Sequence, residues 1–404
     1  MPELGTKVII VGCAIAGPVL AMFLLGQGYV PVVYERLDAL TEGGVSLMLQ
    51  PNGLRVLAQI PGLEESLEGG AIARILFESV VPEDKGVLSE SYVLGKLKEE
   101  LGFGLLGVAR SSFHRKLVEA AEQRGIKIIW GHQLIDLEQH EDHVTVTFQN
   151  GNTDTASFVV GCDGLHSNTR ICLFGKEQAD FTGLVQIGGA SPAPPGRPFE
   201  LPTMLSVFGN GEHFIAYAVS DNRYSWAGTR REPEAKETWK AMDKDAQEDF
   251  KKNSSYSSWG AGVGDLVRNA DKVVKYGLYD RPELTTWHSG RVILIGDAAH
   301  PTSPHLGQGA NQAFEDVALL SKLLKEHNPH ANPPSTETLS KVFTELEKVR
   351  IPRSAALVAG ARKSGETRVV AGVEECKKRN DYYRESWKDD ETIMRNHRAV
   401  YAAQ

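Results

Sequence analysis

Cysteine is scarce in this 404-residue chain, with four residues at positions 13, 162, 172 and 376. None forms a CxxC pair, which removes a redox dithiol, a zinc ribbon and a secreted disulfide framework; reduced thiols in a cytoplasmic protein are the simple expectation. The twelve histidines are scattered without HxxxH or HExxH spacing, so no metal site is expected. Positive charge is not in excess either: the net charge of −8 argues against a nucleic-acid partner. No apolar run has the length of a membrane span. The apolar stretch 8–25 has no basic region before it beyond Lys7 and leads into a strand, which sets a secretory signal aside. No internal repeat or low-complexity segment is present. What remains, 41% hydrophobic and 24% charged, is the make-up of a soluble globular chain large enough for two domains.

What is present is machinery for a nucleotide. Val8–Val11 is a β-branched run, Gly12-Cys13-Ala14-Ile15-Ala16-Gly17 opens a helix to about Gly26, and Tyr29–Tyr34 is a second strand ending in Glu35. This is a βαβ dinucleotide fingerprint, with Glu35 placed for an adenosine ribose. Ala14 stands where the middle glycine usually lets the backbone approach a pyrophosphate. Further on, Val292–Ile295 reads as a strand that stops at Gly296-Asp297 and passes through a loop with prolines at 301 and 304. Gly307-Gln308-Gly309 then enters a helix rich in Ala, Asn and Gln. Asp297 at a strand's carboxyl end can accept hydrogen bonds from hydroxyls, the glycines let backbone pass close to a flat ring, and the helix aims free N–H groups at what precedes it. Between these segments, Phe158–Gly161 runs into Cys162-Asp163-Gly164, a turn pair after a strand, with Ser167 and Arg170 following.

These segments resemble the FAD motifs of the class A, single-component flavoprotein monooxygenases, the family of the salicylate and para-hydroxybenzoate hydroxylases. GDAAHP followed by PxxGQGxNQAxED is similar to the second FAD motif, and GCDGLHSNTR to the family's GADGxxSxxR with Cys162 for alanine. Arg110 to Leu117 follows RxxLxxxL, with Phe113 where leucine is usual. The resemblance covers most of residues 5–360. It implies an α/β fold: a Rossmann-like FAD-binding domain of the para-hydroxybenzoate hydroxylase type, an inserted mixed-sheet substrate domain and C-terminal helices. It implies that Gly12, Ala14, Ile15, Ala16, Gly17, Glu35, Arg36, Arg110, Asp163, Asp297, Pro304, Gly307, Gly309, Ala310 and Asn311 bind FAD, with Arg110 at its ribityl or phosphate region. It further implies NADH or NADPH as a transient reductant, O2 as co-substrate and oxygen transfer from a flavin C4a-hydroperoxide. The lack of a second GxGxxG suits a reductant that binds briefly at the surface.

The motifs divide the chain into a discontinuous FAD domain (1–72, 107–178 and 276–360), a substrate domain (73–106 and 179–275) and a C-terminal helical segment (361–404). The substrate domain reads mostly as strands, interrupted by a Pro-rich loop at 191–198 and a charged helical patch at 233–252. Residues 320–350 read as a helix pair broken at Asn332-Pro333-Pro334, and 361–404 as charged helix with a solvated face. Gly209–Ala218 resembles the GxGxHFxxYP pattern of salicylate-type hydroxylases, with Ala218 for the proline. Residues 213, 215 and 217 share a strand face, so His213 and Tyr217 are the candidate catalytic pair, with Ile215 beside them. A plain core strand with one inward histidine fits the same residues. Met48, in GVSLMLQPNGLR, takes a place that is often polar in the family, and it suits a bulky apolar substrate or simple core packing. Pro304 and His305 complete the candidate substrate set, with no role assigned to His305.

The expected activity is FAD-dependent monooxygenation of an aromatic or other electron-rich small molecule, hydroxylation before epoxidation. A reductase or dehydrogenase without productive oxygen use, and a non-catalytic protein on the same fold, stand as alternatives. The GDAAHP and GQG segments favour an FAD enzyme over the non-catalytic reading, and the GWxWxIP element of flavin halogenases is absent.

Overall fold

A computed structural model describes residues 5–41, 43–196, 198–233 and 241–401. Residues 234–240 of the expected charged patch lie outside the described residues. The β-branched runs at 8–11, 30–34 and 158–161 become neighbouring parallel strands because each is buried on both faces and needs helices to cover it. The resulting six-stranded sheet has the order His288–Ser289, Val292–Leu294, Phe158–Gly161, Lys7–Val11, Val30–Tyr34 and Lys127–Ile129. All of its pairings are parallel except that of the two-residue edge strand His288–Ser289. Helix Ala16–Gly26, whose sequence AGPVLAMFLLG contains no charge, is buried between this sheet and helix Gly309–His327. The carboxyl ends of three central strands thereby bring Gly12, Cys162 and Gly296 to one edge, where a doubly wound sheet holds its ligand.

The second layer is a seven-stranded mixed sheet. Its order is Lys272–Asp280, Asp180–Pro192, Arg223–Arg231, Glu212–Ser220, Thr203–Phe208, Arg74–Ser79 and Gly86–Ser91. Alternation along Glu212–Ser220 sends Phe214 and Ala216 into a core with Trp226, Tyr256 and Leu266. His213, Ile215 and Tyr217 are left on the other face, as period-two geometry requires. Strand Lys272–Asp280 pairs with Asp180–Ala190, so the substrate sheet runs to residue 280, past the expected boundary at 275/276. A three-stranded sheet of Ser46–Leu49, Leu105–Ala109 and Gly70–Ile72 lies between the layers.

The C-terminal segment is less solvated than its charge pattern predicts. Helix Thr336–Arg368 continues unbroken through residue 361, and helices Val373–Ser386 and Asp390–Tyr401 follow it. They bury Tyr383, Ile393, Met394 and Tyr401 against Phe77 and Phe208 of the substrate sheet. Arg379 and Asn380 are buried with them. A charge run hides such a face because alternate turns contribute only one or two apolar residues each. No helix among the described residues is long and apolar enough to cross a membrane.

Candidate active site

The first strand ends at Gly12, where φ is +104° and a Cβ would stand 2.5 Å from the Cys162 carbonyl oxygen. Only glycine accepts both conditions. Gly12 N donates to Tyr34 O and Cys162 N donates to Val11 O, each at 2.7 Å, so three strand ends are tied together. A methyl on Gly17 would overlap the Gly12 carbonyl oxygen, which is how helix Ala16–Gly26 seats so close to the strand. Ala14 and Ile15 are half-buried, so the extra methyl at 14 is not wedged into the core. The helix has neither a side-chain cap nor an acid in its first turn, leaving its N–H groups and positive dipole end to an anion such as a pyrophosphate. The Glu35 carboxylate accepts from Cys13 N (2.8 Å) and Leu37 N (3.0 Å), and a carboxylate has lone pairs left for ribose hydroxyls. Arg36 beside it is exposed.

At the other end of the crevice, Asp297 is exposed although its neighbours from Arg291 to His300 are buried. The Arg110 guanidinium donates to Gly43 O at 3.0 Å; burial lowers its pKa while the attraction of Asp297 opposes that. A Cβ on Gly309 would lie 3.8 Å from Asp297 Oδ1, so this carboxylate faces the start of helix Gly309–His327. That helix also lacks a side-chain cap. Pro304 is exposed and Gly307, Gly309 and Ala310 are half-buried, which leaves the loop's outer face open. A cradle of glycines, two uncapped helix starts and an exposed carboxylate beside an arginine fit the donors and acceptors of FAD.

Two expected cofactor ligands also make hydrogen bonds inside the protein. Asp163 accepts from Ser167 Oγ (2.5 Å), Thr169 N (3.0 Å) and Thr169 Oγ1 (3.0 Å), while Ser167 caps helix Asn168–Phe174 through Arg170 N. Buried Arg170 reaches Ala299 O at 3.3 Å, so the middle motif ties its turn to the GDAAHP loop. The fully buried Asn311 accepts from Gln50 N (2.9 Å) and donates to Met48 O (3.0 Å) and Gly307 O (2.8 Å). These bonds tie both side chains to the loops and strands around them.

Other residues that do this work carry no role in the sequence reading. Asp316 accepts from Gly296 N (2.8 Å) and pairs with His300 (2.6 Å) and Arg350 (2.7 Å). Burial pushes the Asp316 carboxyl upward, but His300 and Arg350 outweigh it and hold the pKa at about 2. His300 and Asp316 stand inside the quoted motif, where their 16-residue separation across a loop and a helix gives no hint of contact. Arg350 comes from a helix with no motif at all.

The short strand Ser46–Leu49 is the seam between cofactor loop and substrate sheet. Its preceding residue, Val45, accepts from Arg110 N at 3.1 Å. Ser46 Oγ bonds Tyr217 Oη (2.8 Å) and Ser225 Oγ (2.6 Å), and the half-buried Met48 packs in the same cluster as Tyr217. Burial raises the pKa of Tyr217, with the Ser46 bond opposing, so the phenol is neutral. Ile215 is half-buried on the same face. His213 is completely buried, with Nε2 at 2.8 Å from Ser206 Oγ and Nδ1 without a partner. Burial, then Arg368, His305 and Arg379, hold its pKa well below the ordinary imidazole value. His305 is likewise buried, and desolvation and then Arg368 bring it to about 3. The structure thus gathers Met48, Ile215 and Tyr217 at the seam and places His213 deeper, with His305.

The FAD binding domain family model matches residues 5–339 of the chain. The 3-amino-4-hydroxybenzoate 2-monooxygenase of Streptomyces cremeus is 29% identical over 388 residues, 95% of this chain and 93% of that protein. The 6-hydroxynicotinate 3-monooxygenase of Pseudomonas fluorescens is 29% identical over 330 residues, 80% of this chain and 84% of that one. Among solved structures, Klebsiella pneumoniae HpxO complexed with FAD and uric acid superposes with a TM-score of 0.84 at 22% identity, covering 98% of this chain and 97% of that one, a likeness of fold.

Proposed function

The chain belongs to the FAD binding domain family, as a class A flavin monooxygenase, and from that membership we propose how its own residues serve oxygen transfer to an aromatic substrate. It is an FAD-dependent monooxygenase driven by NAD(P)H. Bound FAD supplies the redox chemistry, taking two electrons from NAD(P)H and activating O2 for transfer of one oxygen atom. The protein's part is to hold, orient and keep out water.

The start of helix Ala16–Gly26 would hold the pyrophosphate of FAD, Glu35 the adenosine ribose, and Asp297 with Arg110 the ribityl chain. The N–H groups at Gly309 and Ala310 would stabilise negative charge on the bound flavin. The substrate lies across the seam, an aromatic ring against Met48 and Ile215 with its hydroxyl at Tyr217 Oη. The Tyr217–Ser46–Ser225 hydroxyl chain orients that hydroxyl. His213, neutral and fixed by Ser206, positions the substrate without acting as a base.

One observation carries this reading: the strand Ser46–Leu49 accepts from Asn311 of helix Gly309–His327 through Met48 O and bonds the substrate sheet through Ser46 Oγ, so cofactor motifs and substrate face share one wall. Hydroxylation of an electron-rich ring is favoured over epoxidation because the relatives named above act on hydroxylated aromatic acids. The four free thiols and the absence of a membrane-length helix among the described residues support a cytoplasmic location. The test is a library of phenols and aromatic acids scored for acceleration of NAD(P)H oxidation. Acceleration by a subset, with oxygen consumed, is the expected result; substrate-independent reduction that continues without oxygen and feeds another acceptor supports a reductase instead.

A further inference from the structure

Strands Asp180–Pro192 and Lys272–Asp280 run antiparallel, and their register sets Asp180 directly opposite Asp280. Residues so paired share one face with Cβ atoms about 5 Å apart, and like charges there repel. One guanidinium serves both. Arg362 Nε donates to Asp280 Oδ2 at 2.5 Å and acts on Asp180 and Glu283 only through longer-range attraction. Asp280 is 3% exposed, whereas Asp180 is exposed and forms no ion pair among the described residues. A bound cation would relieve the repulsion between them.

Both aspartates line a cleft of roughly 310 Å³, space for a one- or two-ring molecule, together with Ser303, His305, Arg362 and Glu366. Three carboxylates thus face one guanidinium in its lining. Glu366 is shared with the exposed Arg231 of the substrate sheet. Arg368, the other cation that acts on His305, is half-buried and is not part of the lining.

The cleft also holds unmet hydrogen-bonding atoms. Ser303 and His305 are 6% and 4% exposed, and Ser303 Oγ and His305 Nε2 are buried without a partner. Native interiors rarely leave such atoms unmet. A Cβ on Gly365 would stand 2.5 Å from His305 Nε2, so that ring edge reaches the part of helix Thr336–Arg368 that presents Arg362 and Glu366. The imidazole is neutral, and with its proton on Nδ1 it offers Nε2 as an acceptor. Carboxylates, a hydroxyl and an imidazole nitrogen all suit an ammonium, which has three N–H donors and no acceptor. A metal ion does not suit the cleft, because no three His, Cys, Asp or Glu among the described residues are grouped to hold one.

The cleft adjoins the seam. Leu184, in its wall, packs in one cluster with Val45, the residue before strand Ser46–Leu49. His305 lies two residues before Gly307, where a Cβ would stand 3.8 Å from Met48 Cβ.

We propose that this cleft takes a protonated amine carried on an arm of the aromatic substrate, held by Asp180, Asp280 and Glu366 with Ser303 and His305 as further acceptors, while the ring lies at the seam. It rests on the reading of the seam as the substrate side. An alkylamine is charged at neutral pH, its pKa lying near that of lysine at about 10.4.

The experiment titrates the FAD-loaded protein with phenols and hydroxybenzoates that bear an aminomethyl or aminoethyl arm, and with the matching alcohols that carry a hydroxyl in place of the amine. The flavin absorbance difference spectrum reports binding. At least one amine binds about ten-fold or more tightly than its alcohol. Asp180→Asn weakens that amine about five-fold or more while alcohol binding and FAD content hold, and Asp180→Glu recovers part of the loss. Equal binding of amine and alcohol in the wild type, no amine in the panel binding, or an unchanged ratio in Asp180→Asn each overturns the subsite. The melting temperature of unliganded Asp180→Asn holds or rises, because repulsion across the strands is removed. A fall makes Asp180 a structural partner of Arg362 and overturns the subsite as well. Oxygen consumption with neutral phenols is read in parallel, so failure of the monooxygenase reading registers separately.

Discussion

Gly12→Ala tests whether the first strand's end is as tightly built as its geometry requires. At φ +104° an L-residue is strained by about 1–2 kcal/mol. The new methyl would also stand 2.5 Å from Cys162 O, 2.8 Å from Cys162 C and 3.0 Å from Asp163 Cα, all backbone atoms. Neither side yields easily, because Gly12 N is bonded to Tyr34 O and Cys162 N to Val11 O. Overpacking of that kind adds ~1–3 kcal/mol, giving a total of about 2–5 kcal/mol. Gly102→Ala is the control. Its φ is +80° with nothing within 4 Å of the added Cβ, so only the strain of about 1–2 kcal/mol applies. Urea unfolding of FAD-stripped protein gives the two stabilities, and flavin fluorescence quenching gives the two affinities. Gly12→Ala should lose more stability and, because helix Ala16–Gly26 shifts with the strand end, bind FAD at least about ten-fold more weakly, a change of ~1.4 kcal/mol. Gly102→Ala should bind FAD as the wild type does. Equal stability losses with unchanged FAD affinity in both variants would refute the close-approach argument.

Asp297→Ala should weaken FAD about 5- to 150-fold by equilibrium dialysis, the loss of ~1–3 kcal/mol when ribityl hydroxyls lose their acceptor; retention of stoichiometric FAD would remove Asp297 from the site. Asp316, held at about 2, should contribute stability that is full above the unfolded value of ~3.9 and is lost as pH falls toward 2. The thermal-stability gap between wild type and Asp316→Asn should therefore narrow below about pH 4, and a pH-independent gap contradicts the pairing. Tyr217→Phe should lower the fraction of NAD(P)H oxidation coupled to product several-fold with FAD content unchanged, measured as product against peroxide. His213→Ala should also lower coupling yet leave the pH–rate profile unaltered between about pH 6 and 9, since a depressed imidazole pKa places its protonation below that range; disappearance of an ionisation there would make His213 a base.

The cofactor layer was legible because FAD binding rests on local patterns. A β-branched run, a glycine at its end and an acid after the next strand are contiguous signals, and each imposes one backbone geometry. What the motifs did not convey is which members also bond inside the protein. Asp163 reads as a cofactor ligand by position, yet its three short-range donors at Ser167 and Thr169 are a helix-cap pattern, visible only once helix Asn168–Phe174 is in place. Asn311 is similar, its partners Met48 and Gln50 being over 260 residues away. The strand alternation of 213, 215 and 217 was readable from period two, but not the depth of His213, which depends on Arg379 and Tyr383 closing over Phe208 from the C-terminal helices. Buried Arg379 escaped notice because a charged helix reads as surface until its one apolar stripe finds a sheet.

The central claim is oxygen transfer, and isotope labelling tests it most directly. FAD-loaded protein, NAD(P)H and the aromatic acid that most accelerates its oxidation are incubated under 18O2, and the product is weighed by mass spectrometry. The account predicts one labelled oxygen atom in the ring-hydroxylated product. Label recovered only in peroxide and water for every acid and phenol that stimulates NAD(P)H oxidation would contradict it.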